Sequence, residues 1–204
     1  MAGGVAAYII LLFYDSKVTS RRVHDDNLNQ SANKSIRHIH QCLAVFLIFC
    51  GSCGFNGVNN IPIDGDMSAL GGKRMASTTI AATCSFFTMV LYHTFIEFEV
   101  HFSNKYTNYI NATVSGLIAI SGSCSTCEFE GAFAIGVVAA FVYIFFKYIS
   151  KLSHMNEKND VTAIYFANGA WGLLAPGFFA SENGYKSSVA TYYESNESRV
   201  AVCS

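Results

Sequence analysis

Charged residues are scarce in this sequence: Asp, Glu, Lys and Arg make up 13% of its 204 residues, whereas soluble domains typically carry about 25%. Proline is rarer still, with two residues, and the formal net charge is −1. The lack of a basic excess excludes the strongly basic surface with which proteins bind nucleic acid, so we expect no nucleic-acid partner. So few charges also cover a soluble surface poorly. The chain is therefore either a soluble protein with a large apolar core or an integral membrane protein.

The sequence is rich in hydrophobic and aromatic residues. The sequence has 17 Phe and 11 Tyr, and 51% of it is hydrophobic, which excludes intrinsic disorder. About 20 apolar residues span the hydrocarbon core of a bilayer as a helix, and five such stretches would leave a soluble protein too little polar surface. We therefore predict an all-α fold, a polytopic integral membrane helix bundle in contact with the lipid bilayer. The five charge-free stretches are 41–63, 75–96, 106–127, 131–146 with an apolar extension to 149, and 161–181.

Residues 1–14 form a sixth, shorter apolar stretch. A secretory signal peptide has an apolar segment of this length, but basic residues precede that segment, and none do here. We favour the alternative, in which residues 1–14 are the end of a transmembrane helix.

The loops between the stretches predict an orientation. If the loop 15–40 is cytoplasmic, then 97–105 and 147–160 are cytoplasmic as well, and these three loops hold nine Lys and Arg residues against four on the other side. This bias agrees with the positive-inside rule. The polar segment 181–204 then forms a tail on the outer side.

Two Cys-x-x-Cys pairs lie within or beside the apolar stretches, Cys50 with Cys53 and Cys124 with Cys127. Four thiolates could hold a zinc ion, and the predicted orientation also allows a disulfide on the outer side. A free cysteine more commonly packs as a small hydrophobic residue in helices of this kind. The pattern favours packing.

Enzyme signatures are missing from the sequence, which has no Ser-His-Asp order, phosphate loop or dinucleotide fingerprint. The spacing of the histidines gives no sign that they converge on a metal, so we interpret them as interfacial polar residues. We predict neither a cofactor nor an enzymatic activity. The six histidines are His24, His38, His40, His93, His101 and His154.

Asn56 and Asn111 fall within apolar stretches, where an unpaired amide is costly. Each must bond to a neighbouring helix or face a water-filled cavity. Two interpretations therefore stay open: a helix-to-helix hydrogen bond or a polar pore wall.

Several segments, taken in order, resemble the motifs of the ammonium transporter family, which comprises the Amt, Mep and Rh proteins. The resemblance covers residues 1–180. The segments are Ala2-Gly3-Gly4-Val5-Ala6-Ala7-Tyr8, Gly54-Phe55-Asn56-Gly57, Asn111-Ala112-Thr113-Val114-Ser115-Gly116-Leu117-Ile118-Ala119-Ile120, Gly131-Ala132-Phe133-Ala134-Ile135-Gly136-Val137-Val138-Ala139, and Asp160 followed by Gly169-Ala170-Trp171-Gly172-Leu173-Leu174-Ala175 and Gly177-Phe178-Phe179-Ala180.

The resemblance implies a bundle of eleven spans in a plasma-membrane homotrimer, with one hydrophobic pore for ammonium or ammonia in each subunit. Residues 1–180 would hold the end of the fifth span through the tenth, followed by the tail 181–204. Phe55 matches one phenylalanine of the family's gate, which works by blocking water and sodium until the ring moves. The resemblance places Asn56 beside this gate, and Asn111, Asn168 and Trp171 would pack the bundle or line the pore.

The sequence departs from the family at the two pore histidines. The first would lie upstream of Met1. The second belongs to the tenth span, where the sequence has no histidine. Asn168 or Tyr165 stands nearest to its position. The segment is also shorter than the family pattern. A histidine can carry a proton near neutral pH, whereas an asparagine cannot. We therefore do not expect the chain to conduct alone.

Two alternatives follow from these departures. One is a truncated, non-transporting paralogue that acts as a partner subunit. The other is an unrelated enzyme with an intramembrane zinc site built on the two Cys-x-x-Cys pairs.

Overall fold

The computed structural model describes residues 30–58, 67–96, 102–152 and 160–186. Within these ranges the chain is largely helical, as predicted, and consecutive helices pack against one another. A π-helical segment, Thr162–Ala167, runs directly into the last long helix, and a short helical turn follows at 182–186. The long helices are α1 (Gln30–Val58), α2 (Met67–Phe95), α3 (Phe102–Ile120), α4 (Phe129–Leu152) and α5 (Asn168–Phe179). Residues 1–14 and most of the predicted tail lie outside the described residues.

Three helices in the described ranges are long and apolar enough to cross a membrane: His38–Val58, Leu70–Phe95 and Phe129–Ser150, with mean hydropathies of 1.6, 1.3 and 2.1. The other two predicted spans, 106–127 and 161–181, form helices as well. They are shorter, since α3 has 19 residues and α5 has 12. The sequence of α3 is also rich in Asn, Ser and Thr, which lowers its hydropathy.

Small residues bring α2, α3 and α4 into close contact at the centre of the bundle. A Cβ atom added to Gly116 of α3 would lie 2.7 Å from the carbonyl oxygen of Ala81 in α2, and one added to Gly136 of α4 would collide with the same carbonyl. Ser85 of α2 donates a hydrogen bond to the carbonyl oxygen of Ala112 in α3, at 2.6 Å. Contact between small residues and hydroxyl bonds across helices are typical of packing inside membranes.

The outer surface of the bundle is apolar. Large hydrophobic side chains are exposed on four of the helices, which is the reverse of a soluble surface and is expected where lipid is the solvent. Examples are Phe46 and Leu47 on α1, Phe87 and Leu91 on α2, Phe141 and Phe145 on α4, and Leu173 and Phe178 on α5.

The turn between α3 and α4 closes one end of the bundle, which we call the Glu128 end. Lys73 of α2 pairs with Glu128 at 3.1 Å, and the Ser181 hydroxyl donates to the same carboxylate oxygen at 3.1 Å. The backbone N–H of Ser181 donates to the carbonyl oxygen of Thr126 at 2.9 Å. The first residues of the predicted tail, 181–186, therefore pack back onto the bundle.

The cysteines that the structure describes are free thiols. Cys124 and Cys127 belong to the hydrophobic core, which supports the packing interpretation of that pair. In the first pair, Cys53 is buried beside the Thr79 hydroxyl at 3.9 Å, and Cys50 is exposed.

Candidate functional site

Polar side chains converge at the opposite end of the bundle, where α3 begins and α4 ends. The group joins α3 and α4 to Asp160, two residues before the π-helical segment. We call it the Lys147 cluster, and it consists of Asn108, Asn111, Tyr143, Lys147 and Asp160.

Lys147 is the centre of this cluster. Its Nζ atom lies 2.5 Å from Asn108 Oδ1, 2.5 Å from Asp160 Oδ2 and 3.1 Å from the Tyr143 hydroxyl. An ammonium group has three N–H donors, so each donor has an oxygen acceptor here. The Lys147 and Asp160 side chains are only 21% and 16% exposed. Burial makes such charges costly unless they are paired and hydrogen-bonded, and this cluster meets both conditions.

Asp160 is held in an unusual backbone conformation, with φ of 49°. Left-handed φ values are uncommon outside glycine, although Asp adopts them more readily than most residues. The Asp160 Oδ2 atom also accepts hydrogen bonds from Tyr143 at 2.7 Å and from Asn111 at 3.4 Å. Strained backbone that persists is held by its surroundings and is frequent at functional sites.

His93 extends the cluster to α2. Its Nε2 atom lies 3.1 Å from Asn108 Nδ2, and the side chain is only 2% exposed. His93 is in the last turn of α2, as its position at the end of a span predicts, and it packs between helices, edge-on to the Tyr109 ring. Next to the cluster is a cavity of about 70 Å³, whose lining includes Asn108, Tyr143 and Lys147.

Asn111, which the sequence left as either a packing or a pore residue, belongs to the Lys147 cluster. Its Nδ2 atom donates to Tyr143 at 3.2 Å as well as to Asp160. Asn56 lies elsewhere, buried between α1 and α2, and donates to the Thr78 hydroxyl at 3.1 Å. Both amides thus form bonds between helices. The Oδ1 atom of Asn56 has no hydrogen-bond partner among the described residues.

Phe55 and Trp171 have contrasting environments. The Phe55 side chain is 67% exposed near the end of α1. Trp171 is half-buried and donates from Nε1 to the carbonyl oxygen of Ile135 in α4, at 3.4 Å. Its ring stacks on Phe178 and meets Phe179 edge-on, so Trp171 packs α5 against α4.

Asn168 and Tyr165 were the two candidates for the position of the second pore histidine. Asn168 is completely buried, and its Nδ2 atom donates to the carbonyl oxygen of Ala163 at 3.0 Å. Its Oδ1 atom has no donor among the described residues. Tyr165 is 39% exposed. Of these two residues, Asn168 is therefore the one that points into the bundle.

The sequence did not predict the pairing of Lys147 with Asp160. The signal available was a lysine within an apolar run, because Lys147 follows a charge-free stretch and two further apolar residues come after it. Ionisable residues in such places usually have a partner. The part of the chain that the structure describes has no group of three or more His, Cys, Asp or Glu side chains placed to hold a metal ion.

Comparison with known proteins decides the family. The profile of the Ammonium Transporter Family matches residues 1–202, nearly the whole sequence. The chain belongs to the ammonium transporter family. It is therefore a multi-pass membrane protein of a transporter family, in agreement with its apolar helices.

Individual relatives show how much of the family fold the chain spans. It is 28% identical over 192 residues to ammonium transporter 1 member 1 of Solanum lycopersicum, covering 88% of this chain and 37% of that protein. It is 24% identical over 185 residues to putative ammonium transporter 3 of Caenorhabditis elegans, covering 91% and 26%. The chain thus spans roughly a third of the length of these relatives.

Solved structures share the fold. The Mep2 crystal structure from Saccharomyces cerevisiae superposes with a TM-score of 0.62 at 20% identity, over 74% of this chain and 32% of that one. The N240A mutant of Candida albicans Mep2 gives 0.57 at 17% identity, over 70% and 30%. This member of the ammonium transporter family therefore has part of the Mep2 helix arrangement.

Proposed function

We propose that this ammonium transporter family member takes part in moving ammonium or ammonia across a membrane through a hydrophobic pore. The observation that carries the proposal is the family match over residues 1–202, together with a helix arrangement similar to that of Mep2. The resemblance assigns the described helices to spans six through ten of an eleven-span bundle. The same reasoning proposes a plasma-membrane location, a homotrimer and no enzymatic activity.

Phe55 is the residue that we propose as a gate. Its ring is exposed, and so can move without disturbing the core, and it lies at the end of α1 in the motif that resembles the family's gate. Asn56, the next residue, is bonded to Thr78, which fixes the helix from which the ring projects. A hydrophobic ring that moves aside admits a substrate while excluding water and sodium at other times.

Asn168 is the polar group that we propose for the pore wall. The hydrogen bond to Ala163 fixes the orientation of the amide and leaves Oδ1 as a buried acceptor for an N–H group. An amide neither takes up nor releases a proton at neutral pH. We therefore expect Asn168 to bind passing ammonia or ammonium without relaying its proton.

A second candidate function is that of a non-transporting partner subunit. Asn168 is again the observation in its favour. It occupies the position expected for the second pore histidine, but an amide cannot carry a proton as a histidine can. In this case the chain would assemble with a transporting subunit and alter its activity.

The experiment is transport by the purified full chain in sealed lipid vesicles, with an internal pH dye. The missing pore histidines argue against conduction by this chain alone, but the buried Asn168 oxygen supplies a polar group in their place. We therefore expect an inward ammonium gradient to change the internal pH faster than it does in empty vesicles, and we expect F55A to alter that rate. A folded, helical chain that gives the rate of empty vesicles would overturn transport by this chain alone. Co-reconstitution with a transporting family member would then test the partner role.

A further inference from the structure

The oxygen atoms around Lys147 form a binding site for an ammonium group. Asn108 Oδ1, Asp160 Oδ2 and the Tyr143 hydroxyl surround Nζ at 2.5, 2.5 and 3.1 Å. They come from α3, from α4 and from a residue two positions before the π-helical segment, so the fold brings together acceptors that are far apart in sequence. The Tyr143 ring centroid lies 5.4 Å from Nζ, so the ring forms part of the wall around the amine.

A lysine side chain ends in an alkylated ammonium ion: three N–H donors and one N–C bond. A free ammonium ion at the Nζ position would keep the same three acceptors. Its fourth N–H would point along the bond that now leads to Cε of Lys147. The cavity of about 70 Å³ beside Tyr143 and Lys147 borders this space.

We propose that the Lys147 cluster is a site for small primary ammonium ions that Lys147 occupies with its own amine. Lys147 is then a tethered competitor, which keeps free ammonium out of this end of the bundle. The inference rests on the proposed function only for the choice of ligand, since three oxygen acceptors beside a buried carboxylate indicate a small cation. Tetramethylammonium has no N–H donor and is too large for acceptors at 2.5–3.1 Å. A sodium ion can coordinate oxygen atoms, but it takes more ligands than the three found here, so we expect it to be a poorer substitute.

The charge of the site supports this assignment. Asp160 supplies one negative charge in a largely buried position, and a carboxylate left there without a cation is strongly destabilising. Removing the lysine amine therefore leaves the Asp160 carboxylate without a counter-ion, which favours the binding of another cation. Asn111, which donates to Asp160 at 3.4 Å, is neutral and does not replace the missing charge.

The test is the unfolding temperature of the purified full chain in detergent, in equal concentrations of ammonium, methylammonium, sodium or tetramethylammonium chloride. K147A removes the amine and leaves room for an ion. K147M removes the amine but keeps the side-chain volume, so it is the matched control. K147S serves as a second enlarging variant.

We expect K147A and K147S to unfold at lower temperature than the wild type in sodium and to recover by about 3–6 °C at an ammonium or methylammonium concentration ten times the Kd. K147M should unfold at lower temperature than the wild type, because Asp160 loses its partner. For each of these two proteins, however, the unfolding temperature should be the same in all four salts. Adding D160N to K147A should abolish the recovery, because the charge that attracts the cation is gone.

Several results would overturn the proposal. One is equal recovery in sodium or tetramethylammonium, which would indicate simple screening. Another is an ammonium effect of the same size in the wild type, which would place binding elsewhere. The last is a failure of ammonium to recover either enlarging variant, including a failure to restore folding. None of these readouts involves transport, so the proposal and the transport function can fail separately.

Discussion

The Nδ2 atom of Asn168 donates a hydrogen bond to the carbonyl oxygen of Ala163, five residues earlier in the preceding π-helical segment, at 3.0 Å. This bond lies across the π-helical segment Thr162–Ala167, where the regular pattern of backbone hydrogen bonds is interrupted. π-Helical turns are rare inside helices and often occur at functional sites. Asn168 thus combines two roles: it stabilises an irregular turn and presents a buried oxygen.

Asn168→Ala should lower the free energy of unfolding by about 1–3 kcal/mol, because the Ala163 carbonyl loses a buried donor. The measurement is unfolding followed by helical circular dichroism in detergent. Tyr165→Phe is the control in the same turn, and the half-exposed position predicts a change within about 0.5 kcal/mol. Equal effects of the two substitutions would contradict the assigned role of the Asn168 amide.

The helices could be predicted from the sequence because charge is so unevenly distributed. Each charge-free stretch overlaps a helix of the structure, but α1 begins at Gln30, well before the predicted start at residue 41. The hydrophobic pattern locates the part of a helix that lies in lipid. It does not locate the polar turns that continue beyond the bilayer, since backbone hydrogen bonds form there equally well.

The candidate site could be predicted only in part. The resemblance pointed to Asn111 and Asp160 separately, but the contact of Asp160 with Lys147 depends on how α4 and the π-helical segment are placed in three dimensions. The choice between Asn168 and Tyr165 was open for a related reason. A π-helical turn rotates the residues that follow it, and no residue pattern marks that turn in the sequence.

Gly136→Ala should destabilise the bundle by about 1–3 kcal/mol, because an added methyl group would collide with the Ala81 carbonyl and push α4 away from α2. Gly72→Ala on α2 is the matched control, since an added Cβ there meets no atom within 4 Å. Comparing the unfolding temperatures of the two variants in the same detergent measures the difference. A Gly136→Ala variant as stable as Gly72→Ala would show that the helices can separate without cost.

Glu128 should make stability depend on pH. Hydrogen bonds from Lys73 and Ser181, together with the charge of Lys73, lower the pKa of this carboxyl below its ordinary value of 4.5. A carboxyl whose pKa is lower in the folded state binds protons more readily when unfolded, so its stabilising effect is present above pH 4.5 and is lost as the pH falls through the folded pKa.

The check is the unfolding temperature of wild type and E128Q between pH 6 and pH 3. We expect the two curves to approach each other as the pH falls, because E128Q lacks the titrating group. E182Q is the control, since the Glu182–Lys186 pair is exposed and such pairs contribute little. Wild-type and E128Q curves that stay parallel across this range would exclude the Glu128 contact as a source of acid sensitivity.

Phe55→Ala should separate function from stability. The Phe55 side chain is 67% exposed, so its removal should change the free energy of unfolding by less than about 0.5 kcal/mol. Transport should change all the same, because an alanine cannot block a hydrophobic passage. We expect F55A vesicles to admit sodium along with ammonium, seen as a sodium-dependent signal that the wild type lacks.

Phe133→Ala is the control for Phe55→Ala, since Phe133 is also an exposed phenylalanine, on α4. It lines an apolar groove between α2 and α4, at a position that the resemblance does not assign to a gate. We expect F133A to leave both the ammonium response and the exclusion of sodium unchanged. A sodium signal in both variants would mean that any exposed phenylalanine limits leakage, whereas a signal in F55A alone would locate the gate at the end of α1.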